Sequence, residues 1–447
     1  MVKAAGTKPL SGHLVEVSAM MIACAAILGG CATKVRELMP TPALFDHPAA
    51  RAIFEKVPAR RRTDYVDLLY ITDRAPNSDP GADLPYGQER SRSLAFGSAR
   101  VSLLPQMQWD ELRRQSLANL REQPIELKLD RVKELGRYPT EPYSVQVTTQ
   151  GVTRDPATLE QHELAEAKFK SEVRKRLRTA PSREVVLYIH GFNETFATAA
   201  YTAAELCHFL GRMDVCSFFT WPASSTGGPL TSYISTTESS QYSVGHLKKA
   251  IRTLAQTPGV EGLHLLAHSR GNALLLSAVR ELYLETVAFG ESPAESLKLK
   301  NIVMLSPDVD VDVASQQLEI VASDPDFVTR WHSAVLPKFI EGRFTVYASP
   351  GDKALRLSEF LFRSRSRVGQ LSPEDIPPRV QEFFSKVQTS RNRRQTTRLF
   401  GQFDRGSGSK RRVPNLDAQP LPTGNFGPQA GELAAQLLLS RAAGRLL

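Results

Sequence analysis

The sequence predicts an α/β fold built on a mostly parallel sheet, with helices on both faces and a strand-rich extension on its N-terminal side. Three observations predict it. From residue 184 onward, short apolar runs alternate with longer amphipathic segments, the pattern of strands joined by crossover helices. One apolar run ends in Ala267-His268-Ser269-Arg270-Gly271 and another in His190-Gly191, each followed by a helical pattern. Before residue 150, strand-like runs dominate instead, near 65–72, 96–103, 125–132 and 143–149.

In chain order, 65–72 (YVDLLYIT) reads as a strand, and the polar, Pro- and Gly-bearing stretch 73–92 reads as turns. Pro156 marks a helix start, and Leu164, Phe169, Val173 and Leu177 give that helix one apolar side. The run 185–189 (VVLYI) suits a buried strand, with a helix expected over 197–210. Strands follow at 215–221, 263–267, 302–305 and 344–348, and helices at 242–254 and 273–284. A Gly- and Ser-rich loop is expected over 224–232. The resulting division is 1–30 as a signal segment, 31–62 as a linker rich in Pro and Arg, 63–150 as the strand-rich extension, 151–370 as the core, and 371–447 as a basic, partly disordered C-terminal region.

The 447 residues are enough for one large domain or two ordinary ones, and 41% hydrophobic content supports a sizeable core. The net charge of +9 is modest, and much of the excess lies between Lys386 and Arg412. That run suits a solvated tail, or contact with anionic lipid headgroups or another polyanion. Nucleic acid is not an expected partner, because only Phe400 and Phe403 stand among these basic residues, too few for the stacking platform that single strands need.

The N-terminus begins with Lys3 and Lys8 and carries no charge over 17–30. That apolar run is too short to span a bilayer but suits the core of a signal peptide. It ends in Leu28-Gly29-Gly30-Cys31, which resembles the lipobox of bacterial lipoproteins, where the cysteine thiol receives the lipid. The resemblance implies lipidation at Cys31 and a partner in membrane lipid. Ala32 follows, with no Asp to mark inner-membrane retention, so the implied location is the outer membrane, facing the periplasm. Of four cysteines, only Cys207 and Cys216 then remain, either as a disulfide or as two buried thiols.

The stretch Leu265-Leu266-Ala267-His268-Ser269-Arg270-Gly271 has the form of a nucleophile elbow, with Ala267 in place of the first Gly. A sharp strand-to-helix turn tolerates only small side chains around the Ser and presents it at a helix N-terminus, where the dipole favours a developing anion. After His190-Gly191, the amide of Phe192 pairs with that of Arg270 as the expected oxyanion donors. His190 and Gly191 are expected to shape the loop, with His190 as a brace rather than a proton carrier.

With these motifs in order, residues 65–370 resemble a bacterial α/β-hydrolase family of unassigned substrate. The resemblance rests on HGFN at 190–193, FTWP at 219–222, AHSRGN at 267–272, SPDVD at 306–310 and SPGDKALRLS at 349–358, with YITDRAP at 70–76 and PYGQERS at 85–91 before them. It implies an α/β-hydrolase fold, a small acyl or ester substrate, Ser269 as nucleophile, and neither metal nor organic cofactor. The acid it implies is Asp352, with Asp308 as the alternative. The base is where this sequence departs from the family. All nine histidines stand at or before His332, and the stretch where the family's histidine is expected reads Thr423-Gly424-Asn425-Phe426. An amide cannot accept the Ser proton. His268, adjacent to Ser269, is read as structural, and His332, between the fourth and fifth core strands where this fold often inserts a lid, is a candidate base that could reach the site from above. Two readings remain open: a serine hydrolase of ester or other acyl substrates at the cell envelope, or a catalytically impaired pseudo-hydrolase lipoprotein that keeps its pocket for binding or assembly.

Overall fold

The computed structural model describes residues 35–79, 81–82, 84–223, 229–323, 343–348, 355 and 367–371. Eight strands form one sheet in the order β10-β9-β8-β6-β7-β1-β2-β3. They are β1 (Tyr65–Pro76), β2 (Tyr86–Leu104), β3 (Glu126–Arg137), β6 (Glu184–Ile189), β7 (Val215–Thr220), β8 (Gly262–His268), β9 (Leu299–Leu305) and β10 (Arg343–Tyr347). From β10 to β1 every neighbouring pair is parallel, and β1–β2 and β2–β3 are antiparallel. The N-terminal strands thus extend the core sheet rather than forming a separate lobe. β4 (Val145–Thr148) and β5 (Gly151–Arg154) make a small exposed hairpin outside it.

Helices cover both faces. On one lie α1 (Pro48–Glu55), α2 (Trp109–Ser116) and α4 (Phe196–Phe209), packed over Tyr70, Tyr188 and Phe218. On the other lie α3 (Pro156–Leu177), α6 (Val244–Ala255) and α7 (Gly271–Ala288), packed over Ile71, Leu187 and Leu265. β6 and β8 carry apolar residues on both sides and are almost wholly buried, as strands covered on two faces must be. Asp155 caps α3 by accepting the Thr158 amide at 2.9 Å, with Pro156 in the first turn as its sequence predicts. Thr195 and Thr198 form a capping box that starts α4.

Three stretches differ from the sequence expectation. The polar stretch 73–92 is mostly strand, because β1 runs to Pro76 and β2 begins at Tyr86. The Ser- and Thr-rich segment before residue 242 is α5 (Pro229–Tyr242). Its hydroxyls are satisfied inside the helix: Thr236 donates to the Ser232 carbonyl at 2.7 Å and Ser240 to that of Thr237 at 2.7 Å. Within the stretch expected as a linker, residues 35–62 are packed into the body. Phe45 and Phe54 are fully buried, Leu38, Met39 and Val57 nearly so, and Arg36 pairs with buried Glu205 at 2.6 Å. Four prolines and an arginine run conceal these sparse apolar anchors in the sequence.

Cys207, in α4, and Cys216, in β7, form a disulfide. Among the described residues no helix is long and apolar enough to cross a membrane.

Candidate active site

The chain moves outward from β6 in both directions, to β7 on one side and β8 on the other. Between β6 and β8 this creates the crevice at which open α/β sheets bind ligands, outside the carboxyl ends of the strands. The two sequence motifs meet there. Ser269 follows β8 with φ 49°, and α7 begins at Gly271. This left-handed conformation at a non-glycine residue is a strained backbone. It is held in place by the end of β9. The Ser269 amide donates to the Leu305 carbonyl at 2.9 Å, the Asp308 amide donates to the Ser269 carbonyl at 3.1 Å, and Asn272 Nδ2 donates to the same two carbonyls at 3.1 and 3.0 Å.

Two glycines allow the motifs to touch. A Cβ on Gly271 would stand 2.3 Å from the His190 carbonyl oxygen, and one on Gly191 would stand 2.9 Å from Ser269 Cβ. Asn193, also left-handed at φ 57°, turns the loop after Phe192 and donates its amide to the Ala223 carbonyl at 2.9 Å. The Phe192 amide meets no acceptor among the described residues, leaving it available to an oxyanion. The Phe192 ring packs edge-on against Tyr233 at 5.3 Å.

His190 is fully buried, and its ring nitrogens are engaged. Nε2 accepts the Trp221 amide at 3.0 Å and Nδ1 lies 2.9 Å from the Gly191 carbonyl, which fixes a neutral ring with its proton on Nδ1. The ring stacks on Trp221 at 5.5 Å, and Trp221 Nε1 holds the His190 carbonyl at 3.0 Å. Burial, then the nearby Arg74 charge, holds this imidazole well below its usual range. Arg74, itself fully buried, donates to Thr220 Oγ1 at 2.8 Å and to the carbonyls of Glu194 at 2.6 Å and Gly87 at 3.1 Å. Arg74 and Thr220 thus fasten the loop, and neither was selected from the sequence. The available signal was a charged pair inside YITDRAP, the motif that opens the resemblance.

His268 precedes Ser269, and desolvation lowers its pKa to about 4. Asp308 is buried. Its carboxylate accepts from Tyr233 Oη and lies 3.5 Å from Arg367 Nε, while its carbonyl accepts from Arg270 Nη1 at 3.3 Å. These bonds tie α5, the elbow and residue 367 to the end of β9. Among the described residues no imidazole lies within hydrogen-bond distance of Ser269 Oγ. Asp352, His332 and Cys31, selected from the sequence, lie outside the described residues, as do 224–228, 372–447 and with them Asn425.

Sheet order, strained serine and paired glycines together define an α/β hydrolase. The chain belongs to the family described as alpha/beta hydrolase of unknown function (DUF900), whose profile matches residues 165–391, just over half of its length. Among solved structures it is similar to an inhibited esterase B from Lactobacillus rhamnosis, at 10% identity over 78% of this chain and 80% of that one, with a TM-score of 0.25. No curated protein sequence matches it.

Proposed function

We propose that the protein is a serine hydrolase of an ester or other acyl substrate, with Ser269 as nucleophile, held at the cell envelope through a lipid on Cys31. The observation that carries the catalytic part is Ser269 itself: a non-glycine residue at φ 49°, between a buried strand and a helix N-terminus, with a Gly-bearing loop pressed against it. In this reading Ser269 Oγ attacks the acyl carbon, and the amides of Phe192 and Arg270 receive the negative charge that forms on its oxygen. Collapse expels the alcohol and leaves an acyl-serine, which water then hydrolyses. His332 takes the serine proton and returns it to the leaving group, and Asp352, five residues beyond β10, orients the ring. His190 is unsuited to that role because its Nε2 already accepts the Trp221 amide. His268, lowered to about 4, is too weak a base to accept a serine proton near neutral pH. Asp308 acts as a brace in this reading, since Tyr233 and Arg367 occupy its carboxylate.

Ser269→Ala is expected to abolish both fluorophosphonate labelling and aryl-ester turnover. His332→Ala should lower turnover by about 10⁶-fold, the cost of losing the base from a serine hydrolase. Labelling that survives Ser269→Ala would refute the assignment. The sequence favours one further reading, because Asn425 stands where the family's histidine is expected. A folded protein without Ser269-dependent turnover would support a pseudo-hydrolase with a binding or assembly role.

The anchor has its own test. Cys31→Ala should move the protein from the membrane to the soluble fraction or stall its processing. A variant that is still cleaved and still sediments with membranes rules out Cys31 as the attachment point.

A further inference from the structure

At the opposite end of the sheet from Ser269, where β1 and β7 begin, lies a cavity of about 240 Å³. Five guanidinium groups line it, from Arg60, Arg61, Arg100, Arg176 and Arg212, against one carboxylate, Asp67. Only Arg176 meets acids within ion-pair distance among the described residues, Asp67 at 3.5 Å and Glu172 at 3.2 Å. The other four are satisfied in a different way or not at all. Arg61 Nη1 donates to the carbonyls of Arg212 at 2.6 Å and Asp214 at 2.7 Å. Arg212 Nη1 donates to those of Arg61, Thr63 and Tyr65 at 2.8–3.0 Å. Arg60 Nε donates to the Thr179 carbonyl at 3.2 Å. The Arg100 guanidinium lies 4.0 Å from the centre of the Tyr65 ring, and its buried Nε makes no hydrogen bond.

Carbonyl groups satisfy N–H donors without cancelling charge. Several cations therefore share one partly enclosed space, which is costly unless an anion joins them. Burial lowers Arg61 and holds Arg212 at about 9; Asp214 and Asp64 offset part of this, and Arg60 and Arg61 add like charge. The excess and the number of planar donor forks suit a compact anion with several oxygens, because guanidinium geometry matches phosphate.

We propose that this cavity binds a phosphoryl group, either free in solution or in the headgroup of a phospholipid. Its position bears on the source. The backbone of Arg36 and Leu38 bonds to Leu127 and Ile125, where β3 begins, and this is the end of the sheet where Tyr65 opens β1. Arg36, near the first described residue, therefore stands at the end of the sheet that holds the cavity. Only the lipid source rests on the Cys31 reading.

The test uses the full chain carrying Cys31→Ala, so that no acyl group dominates membrane binding, and inorganic phosphate as the probe. At constant ionic strength, phosphate should raise the melting temperature more than chloride does and should show saturable heat on titration. The double variant Arg60→Gln/Arg100→Gln, which spares the carbonyl bonds of Arg61 and Arg212, should weaken that binding at least tenfold while melting like the parent. A phosphate effect no greater than that of chloride, or one the double variant retains, overturns the proposal. Retention on phosphatidylglycerol vesicles, lost in the double variant, identifies the lipid headgroup as the source. Phosphate binding without vesicle retention identifies a free phosphoryl ligand.

Discussion

Gly271→Ala should both destabilise the protein and silence Ser269. The added methyl would stand 2.3 Å from the His190 carbonyl oxygen and 3.0 Å from that of Ile189, and both are backbone atoms that cannot rotate aside. The His190 carbonyl is also held by Trp221 Nε1, so relief requires the loop after β6 to move as a unit. Overpacking of this kind costs about 3 kcal/mol or more, which corresponds to a fall of roughly 5–10 °C in melting temperature. The same movement would withdraw the Phe192 amide from Ser269, so fluorophosphonate labelling should disappear together with the stability. Gly245→Ala provides the contrast, because a Cβ there meets nothing within 4 Å and the site lies within α6. That change should stabilise by about 0.5–1 kcal/mol. If Gly271→Ala melts within 2 °C of the parent, the contact between the two motifs is not what the distances indicate.

Stability should fall steeply as the pH drops from 6.5 to 4. Burial holds the imidazoles of His190, His208 and His268 below their ordinary range. In each case the unfolded chain binds a proton more readily than the folded one. Their contribution is therefore complete above an unfolded pKa of about 6.5 and is lost as the pH falls toward the folded value. For His268 that value is about 4, which alone corresponds to about 3 kcal/mol across the window. His208 adds to this, since its Nδ1 accepts from Arg212 at 3.0 Å and a protonated ring would face that guanidinium. Glu194 and Glu205 act in the opposite direction, because burial raises both carboxyls and protonating them on the acid side relieves that cost. Denaturant melts at pH 7, 6, 5 and 4 measure the net slope, and His268→Gln should flatten it. A midpoint that stays constant down to pH 4.5 would contradict the desolvated imidazoles.

The elbow was legible in the sequence because backbone geometry dictates its composition. Only small residues fit two positions either side of Ser269, where Ala267 and Gly271 stand, and Gly271 and Gly191 lie where the chains touch. The parallel core was legible because buried strands are apolar along their whole length, as 185–189 shows. The supports of the site were not. Arg74 looked like part of a turn, since nothing local indicates that Thr220, Glu194 and Gly87 will surround its charge. α5 looked like a loop because its hydroxyls find partners only once the helix has formed. Phe45 and Phe54 were hidden because isolated anchors in a Pro- and Arg-rich stretch have no period. The five cavity arginines come from four separated places in the chain, and only the fold brings them together.

The bonding of Arg36–Leu38 to the start of β3 limits how the molecule can stand on a surface. Only four peptide steps separate Cys31 from Val35, a reach of at most roughly 14 Å. A chain acylated at Cys31 is therefore not a body swinging on a long leash. Under the proposed lipidation it would be held close to its leaflet, on the end of the sheet where β1 begins. Ser269 lies at the other end, about 20 Å away along strands of six or seven residues. If Cys31 carries the proposed lipid, Ser269 stands at the end of the sheet away from that attachment, and its substrates are expected to come from solution rather than from the leaflet that holds the protein.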